Sequence, residues 1–321
     1  MQQMSITVII PSYNAETTIL ETLKSLVSQS QAIAELIVIN NNSNDKTPQI
    51  IEKYFNENVF DFKYKIINHS RTFGLAESYN EAIFESSSTL IVTLHSDVVL
   101  FKDSLEKLIK PFAGDQDYIV ASSHIVLHPI EVWLKYNFWG KVYFSRMAGK
   151  ESNGINGQFD CFKKSALEKI GYFDSENYKT AGEDGDIVFR LKKIGKIADT
   201  DAKIIHLHRL DESFSYMDII RKQMQYSEAQ GVNLRRGRIV NFTGIVRAFF
   251  REILVISVFI PFVNILGTMI IILYSFLYTK QMYLKYVKDY RIIFLPFLNI
   301  FLLFVSFVYS IKGFLVGKQV R

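Results

Sequence analysis

Ser5-Ile6-Thr7-Val8-Ile9-Ile10-Pro11-Ser12-Tyr13-Asn14 is the stretch that decides the fold. Its β-branched run predicts a strand from Ser5 to Ile10 ended by Pro11, with Asn14 placed to cap a helix through about Ser28. The same unit then repeats. Glu35–Ile39 reads as a strand, Thr47-Pro48 as a helix start, Tyr64–Asn68 as a strand, Gly74–Glu85 as a helix and Thr89–Leu94 as a fourth strand. Strands alternating with helices imply an α/β domain built on a largely parallel sheet, with ligands bound beyond the carboxyl ends of the strands. Pro-Ser-Tyr-Asn (11–14), Asn-Asn-Asn-Ser-Asn-Asp (40–45), Asn-His-Ser-Arg (68–71) and His-Ser-Asp (95–97) all stand at such ends.

Further along, a helix is expected around Ser104–Phe112, strands near Tyr118–Leu127, Gly157–Phe162 and Lys203–His208, and helices over Glu183–Ile194 and Asp218–Gln230. The chain has 321 residues, 14% aromatics, a mean hydropathy of +0.11 and a net charge of +5. Two runs, Ile253–Thr279 and Ile292–Ile311, hold no charged residue, and each is long enough to cross about 30 Å of hydrocarbon as a helix. They share an echo, Pro261-Phe262-Val263-Asn264-Ile265 against Pro296-Phe297-Leu298-Asn299-Ile300, whose asparagines offer polar contacts between the two segments. Arg235, Arg236, Arg238, Arg247 and Arg251 precede the first run with no acid among them, which reads as a basic anchor meeting anionic lipid rather than nucleic acid. No secretory signal opens the chain, and a lone Cys161 fits a reducing compartment. These features predict a multi-pass membrane protein with a cytoplasmic catalytic domain over 1–230, a basic juxtamembrane segment over 231–252 and two membrane helices over 253–321. On that topology Lys280–Arg291 faces the opposite compartment, against the positive-inside tendency; a re-entrant hairpin is the alternative.

The acidic cluster Gly182-Glu183-Asp184-Gly185-Asp186, with Arg190 beyond it, completes the pattern. In content and order these motifs resemble the family 2, GT-A-type glycosyltransferases over roughly Ser5 to Ser213. The resemblance implies a nucleotide-sugar donor and a divalent cation, Mg²⁺ or Mn²⁺. It assigns Pro11, Ser12, Tyr13, Asn14 and Glu16 to the nucleotide-binding turn. Asn40 takes the place of an aspartate that contacts base or ribose in relatives, with Asn42 close by. Arg71, Gly74 and Asn80 match a segment that meets base or phosphate. His95-Ser96-Asp97 stands where relatives carry Asp-x-Asp, so Asp97 keeps the cation role and His95 replaces the first carboxylate. Ser96, Asn156, Gly157 and Arg190 join the donor site, and Gln158 adjoins it.

By the same resemblance Asp184 is the general base, with Glu183 beside it and Asp186 and Arg190 near enough to orient it. Acids in a first helical turn also complement the helix dipole without catalytic duty. His206 fits the family's late metal-side histidine, and His208, two residues on, is the alternative. No Gln-x-x-Arg-Trp motif of the processive synthases occurs, which favours transfer of a single sugar. The expected activity is inverting transfer to a membrane-held, lipid-linked acceptor. The rival is a catalytically impaired, nucleotide-binding membrane scaffold, suggested by His95 and Asn40.

Overall fold

The structure is a computed structural model, and it describes residues 4–114, 118–208, 213–277 and 288–319. The chain divides into two compact units. The first comprises Met1–Pro129, Gly149–Ser175 and Glu183–Leu210; the second comprises Ile130–Ala148, Glu176–Gly182 and Asp211–Arg321.

In the first unit the elements run β1 (Ile6–Ser12), α1 (Ile19–Val27), β2 (Glu35–Asn40), α2 (Thr47–Glu57), β3 (Lys63–Asn68), α3 (Leu75–Glu85), β4 (Leu90–Leu94), β5 (Val98–Leu100), α4 (Ser104–Ile109) and β6 (Ile119–Leu127). After two short helices of the second unit, α5 (Ile130–Leu134) and α6 (Phe138–Phe144), come β7 (Glu151–Gly154), β8 (Phe159–Lys163), α7 (Lys164–Ile170), α8 (Glu183–Leu191) and β9 (Lys196–His206). Among the described residues these strands form one sheet in the order β3-β2-β1-β4-β8-β6-β9-β5, with β7 on β6. β3-β2-β1-β4 is parallel, and so is β6–β9. Antiparallel partners enter with β8, β5 and β7, where the sequence pattern is least regular. Both faces are covered. Ile19, Leu23 and Leu26 of α1 join a core with Val8, Ile10 and Val92, while Tyr79, Ala82 and Ile83 of α3 join another with Ile9, Ile37 and Phe162. Continuous apolar strands such as Leu36-Ile37-Val38-Ile39 read this way because they are buried on both sides.

Two local expectations give way. Pro11 does not end β1: pairing with β4 stops at Ile9↔Thr93, and Pro11 and Ser12 continue as partners of Ile39 and Asn40. Asn14 does not cap α1, whose cap position is Thr18; it takes φ +48°, a left-handed conformation that asparagine tolerates.

In the second unit, α9 (Tyr216–Arg235), α10 (Phe242–Ala248), α11 (Phe250–Ser257), α12 (Asn264–Leu277) and α13 (Leu295–Val316) follow one another. The run expected to form one helix over Ile253–Thr279 is broken. Proline lacks the N–H an α-helix interior needs, and the chain between α11 and α12 turns at Pro261-Phe262, with Phe262 at φ +68°. The second run holds: a 3₁₀ turn over Tyr290–Phe294 leads into α13, and 290–316 is the one helix among the described residues with the length and composition to cross a membrane. The echoed asparagines diverge. Asn299 donates to Ser275 O at 2.8 Å and ties α13 to α12, whereas the Asn264 side chain accepts from the adjacent Ile265 N–H. Most of the basic 280–291 segment lies outside the described residues. α9, within the expected catalytic span 1–230, belongs to the second unit because it packs along α13.

Candidate active site

The ends of β1, β2 and β3 are held together by their own polar side chains. Asn14 N donates to Ser43 Oγ at 3.0 Å, and Asn14 Oδ1 accepts from Asn44 N at 2.9 Å. Glu16 Oε2 accepts from Lys46 N at 2.9 Å, and Asp45 Oδ2 accepts from Glu16 N at 3.1 Å. The Asn40 amide is engaged at both ends: Nδ2 donates to Asn68 Oδ1 at 3.0 Å, and Oδ1 accepts from Ser43 N at 3.1 Å. An aspartate there would lack the donor that the Asn68 pair uses. Asn41 clamps the backbone of Phe73 from both sides, and the exposed Asn42 donates to Thr72 at 3.4 Å. Ser12 is buried at the end of β1, Tyr13 is exposed beside it, and the exposed Arg71 lays its guanidinium over Phe73 at 4.7 Å. Gly74 caps α3, with Glu77 accepting from its N–H.

Three expected donor residues also make hydrogen bonds within the chain. Asn80 forms two hydrogen bonds to the backbone of Phe173, at 2.8 and 3.0 Å, which orient its amide toward that loop. Arg190 is committed to Asp186 and to the carbonyls of Ile170 and Tyr172 at 2.8 and 2.6 Å; it fixes the turn after α7 and does not orient Asp184. The Asn156 side chain accepts from Gln158 N at 3.1 Å within its own turn.

The other half of the site is built differently. β4 delivers His95-Ser96-Asp97 to its carboxyl end, and β9 delivers His206 directly opposite, since Val98 of β5 pairs with His206. Ser96 is fixed through its carbonyl, which accepts from Thr18 Oγ1 at 2.9 Å. Asp97 Oδ2 lies 3.1 Å from His206 Nε2. Burial opposes ionisation of Asp97, but the His206 and His95 rings beside it hold its carboxyl well below the usual range. Burial pushes His95 down to about 4 against the pull of Asp97, so its ring is neutral and carries a lone pair.

One ligand atom from each of His95, Asp97 and His206 falls within 4.8 Å of the others. Ligands about 2.1 Å from a shared ion stand roughly 3–4 Å apart, so small side-chain rotations would let these three hold one cation. His95 turns Nδ1 toward Asp97, at 4.0 Å from Oδ1, while its Nε2 is buried with no hydrogen-bond partner. Gln158 Nε2 lies 3.0 Å from His206 Nδ1. Reversing that amide would make its oxygen accept Nδ1–H and leave Nε2 as the ligand atom, the usual support for a metal-bound histidine.

Asp184 and Glu183 open α8, both with buried carboxyls. Burial raises Asp184 well above the usual carboxyl range, and the charges of Glu183 and Asp160 push it the same way. Asp184 Oδ1 has no hydrogen-bond partner. Gly157 faces it: a Cβ on Gly157 would come 3.1 Å from Asp184 Oδ1 and 3.3 Å from His95 Nε2, and the backbone there takes φ +79°. A glycine therefore keeps open the gap on which the raised carboxyl and the orphaned imidazole both border.

The residues that hold this gap were not singled out from the sequence. Asp160, wholly buried on β8, accepts from Asn156 N at 3.0 Å, Gly157 N at 2.7 Å and His124 Nδ1 at 3.0 Å. Tyr79 donates to Gly157 O at 3.0 Å. The available signal was an acid inside the apolar run Phe159-Asp160-Cys161-Phe162, because a buried strand does not carry a carboxylate without partners. His208 stacks on His128 and lies against the His206 ring, while His206 is the histidine grouped with His95 and Asp97.

Comparison with known proteins gives the family and the fold. The glycosyl transferase family 2 pattern matches residues 7–171, just over half of the chain. Poly-beta-1,6-N-acetyl-D-glucosamine synthases of Staphylococcus epidermidis and Staphylococcus aureus are 29% and 27% identical to it over 182 and 178 residues. These matches cover 54% and 53% of this chain but only 43% and 42% of the synthases, so the chain spans less than half the length of those relatives. The mannosyltransferase PcManGT from Pyrobaculum calidifontis, solved with GDP-Man and Mn²⁺, superimposes with a TM-score of 0.61 at 14% identity, covering 98% of this chain and 88% of that one. That likeness establishes the GT-A-type α/β fold. With the family pattern running from β1 into α7 and the fold shared throughout, the chain belongs to glycosyl transferase family 2.

Proposed function

We propose that the protein moves a single sugar from a nucleotide-sugar donor to an acceptor held at a membrane, by direct displacement with inversion at the anomeric carbon. The carrying observation is the gap at Gly157, bordered by Asp184 Oδ1 and His95 Nε2, both buried and unpartnered. Asp184 takes the acceptor proton as the acceptor oxygen bonds to the anomeric carbon. The bond from that carbon to the donor phosphate breaks, and its electron pair leaves on the nucleoside diphosphate. Burial that raises the Asp184 proton affinity suits a base that must keep the proton it takes. Glu183, one residue away, keeps that affinity high.

Asp97, His206 and His95 would hold a divalent cation, which neutralises charge on the departing diphosphate. Two imidazoles and one carboxylate suit Mn²⁺ better than Mg²⁺, which prefers oxygen ligands. PcManGT was solved with Mn²⁺ and a nucleotide sugar, which supports the same pairing here. The nucleotide would lie along the β1–β3 ends, with Tyr13 and Arg71 exposed for base or phosphate.

The membrane-held acceptor rests on the apolar C-terminal unit; a lipid-linked glycan offers the hydroxyl that Asp184 would deprotonate, whereas a polyprenyl phosphate would attack already ionised, without need of the base. The exposed Arg235, Arg236 and Arg247 match the anionic cytoplasmic leaflet, so we assign catalysis to that side. Catalysis is assigned to 1–230 and membrane attachment to the chain beyond it.

The test is release of nucleoside diphosphate from a panel of nucleotide sugars, with membrane lipid extract and Mn²⁺, followed by the anomeric configuration of the product. Inverted product made by the wild type and lost in Asp184→Asn is expected. Retained configuration, or near-normal turnover in a folded Asp184→Asn, would remove Asp184 from the mechanism.

A further inference from the structure

The second unit exposes more apolar surface than a water-soluble protein leaves bare. On α13, Phe297, Phe301, Phe304, Val308, Ile311 and Leu315 form one stripe at helical spacing, each between 42% and 69% exposed. Phe262, at the turn between α11 and α12, is fully exposed. The opposite face of α13 is buried and polar. Ser306 and Ser310 donate to Glu252 at 2.6 and 2.7 Å, and Lys312 pairs with Glu228 at 2.8 Å. α13 is therefore two-faced, unlike a helix wrapped in lipid.

What packs on that inner face decides the topology. Leu302 clusters with Ile219 and Ile220 of α9, and the Ser227 and Ser306 hydroxyls are 3.1 Å apart. A Cβ at Gly231 would collide with the Ser310 carbonyl, and one at Gly313 with that of Glu228. Further on, Arg235 Nη1 donates to Phe314 O at 3.2 Å. Residue numbers rise together, so α9 and α13 lie parallel and side by side from end to end. α9 carries Asp218, Arg221, Lys222, Glu228 and Arg235 and cannot lie in hydrocarbon. Were α13 to cross a bilayer, α9 would be carried into it.

Both ends of α13 also pack on the two earlier segments of the second unit. At the start, Arg291 lies 4.2 Å over the Phe138 ring, and Leu298 packs with Trp139 and Val142. At the end, Gln319 N donates to Asn177 O at 2.9 Å, and its side-chain oxygen accepts from Lys179 N and Thr180 N at 2.8 and 2.9 Å. Ile130–Ala148 and Glu176–Gly182 leave the first unit and return to it, and neither is long enough to cross a bilayer and come back.

We propose that the second unit is an in-plane anchor: α12, α13 and the Pro261-Phe262 turn sink one apolar face into a single leaflet of a lipid bilayer, and no described segment crosses it. The proposal rests on the membrane reading above and deepens it. The occupant is lipid because exposed Arg235, Arg236 and Arg247 stand near the exposed Val240 and Phe242, a pairing that suits anionic headgroups above acyl chains. A second copy would bring like charge to the same border.

In cells, the full-length protein should sediment with membranes. Recovery in the soluble fraction would sink the membrane reading and this proposal together. In a Cys161→Ser background, single cysteines at Val59, Tyr290 and Lys318 mark the catalytic unit and the two ends of α13. All three should resist an impermeant maleimide in intact cells and react after lysis. Tyr290→Cys reacting from outside while Val59→Cys stays protected would overturn the in-plane anchor and leave the membrane reading standing; so would Lys318→Cys behaving that way. Purified protein should also bind vesicles of phosphatidylcholine with phosphatidylglycerol, and the triple change Phe297→Ser, Phe301→Ser, Phe304→Ser should cut the bound fraction at least about tenfold. Self-association without vesicle binding would assign the face to a second copy and overturn the proposal.

Discussion

The two sides of the candidate active site treat their polar atoms in opposite ways. Around the ends of β1, β2 and β3, Asn14, Glu16, Asn40 and Asn41 satisfy one another's segments, so each side chain helps to hold the strand ends together. Around Gly157, Asp184 Oδ1 and His95 Nε2 are buried and left without partners. A buried polar atom without a partner costs about 1–3 kcal/mol, so two of them in one gap mark where interactions are reserved for something that arrives. The lesson concerns roles. Residues of the first side should act mainly on stability, and residues of the second on turnover and on the cation.

The largest effect expected is at Asp184. Asp184→Asn should cut turnover with a hydroxyl acceptor about 10²–10⁴-fold and leave donor binding nearly unchanged. It should also melt at or above the wild-type temperature. A carboxyl raised by burial contributes stability only while protonated, and that contribution is lost as pH rises past its unfolded value, so a neutral amide removes a penalty at neutral pH. Asp97→Ala should abolish cation-dependent donor binding, with turnover falling about 10²–10³-fold, and His95→Asp should raise activity with Mg²⁺ relative to Mn²⁺. Titration calorimetry with each ion checks both, and full activity in excess EDTA would contradict them.

Gly157→Ala places a methyl group in the gap on a strained backbone. A loss of about tenfold to 10²-fold in kcat with little change in donor affinity is expected from steady-state kinetics. The smallest change is on the other side. Asn14→Ala should alter kcat no more than a few-fold and show mainly as about 1 kcal/mol of lost stability in urea unfolding. A kcat collapse in Asn14→Ala would erase the contrast between the two sides.

The parallel core was legible because its strands read as continuous β-branched runs ending in polar turns, from Ile6–Ser12 to Leu90–Leu94. Asp184 and Asp97 stand out in the sequence because their spacing and order resemble the family pattern. What failed to show was tertiary. Arg190 reads from the sequence as near enough to orient Asp184, yet the carbonyls it donates to, of Ile170 and Tyr172, follow no period that α8 could reveal. Asn80 likewise meets Phe173, 93 residues away. Asp160 and Tyr79 shape the Gly157 turn through backbone groups, which leave no trace in side-chain spacing. The broken run at Pro261 was there to be read. Hydropathy alone weighed it as one span, although an interior proline argues for a break.

The central claim is that Asp184, whose Oδ1 is buried without a partner, is the base, with its proton affinity set by burial and by Glu183. The pH dependence of kcat for the wild type and Glu183→Gln, with a hydroxyl acceptor, tests it most directly. Activity requires ionised Asp184, so it should fall as pH drops, along a limb lying above the ordinary carboxylate range. Removing the Glu183 charge should move that limb to lower pH, because the neighbouring negative charge no longer opposes ionisation. A limb in the ordinary carboxylate range, or one that stays in place in Glu183→Gln, would contradict the account.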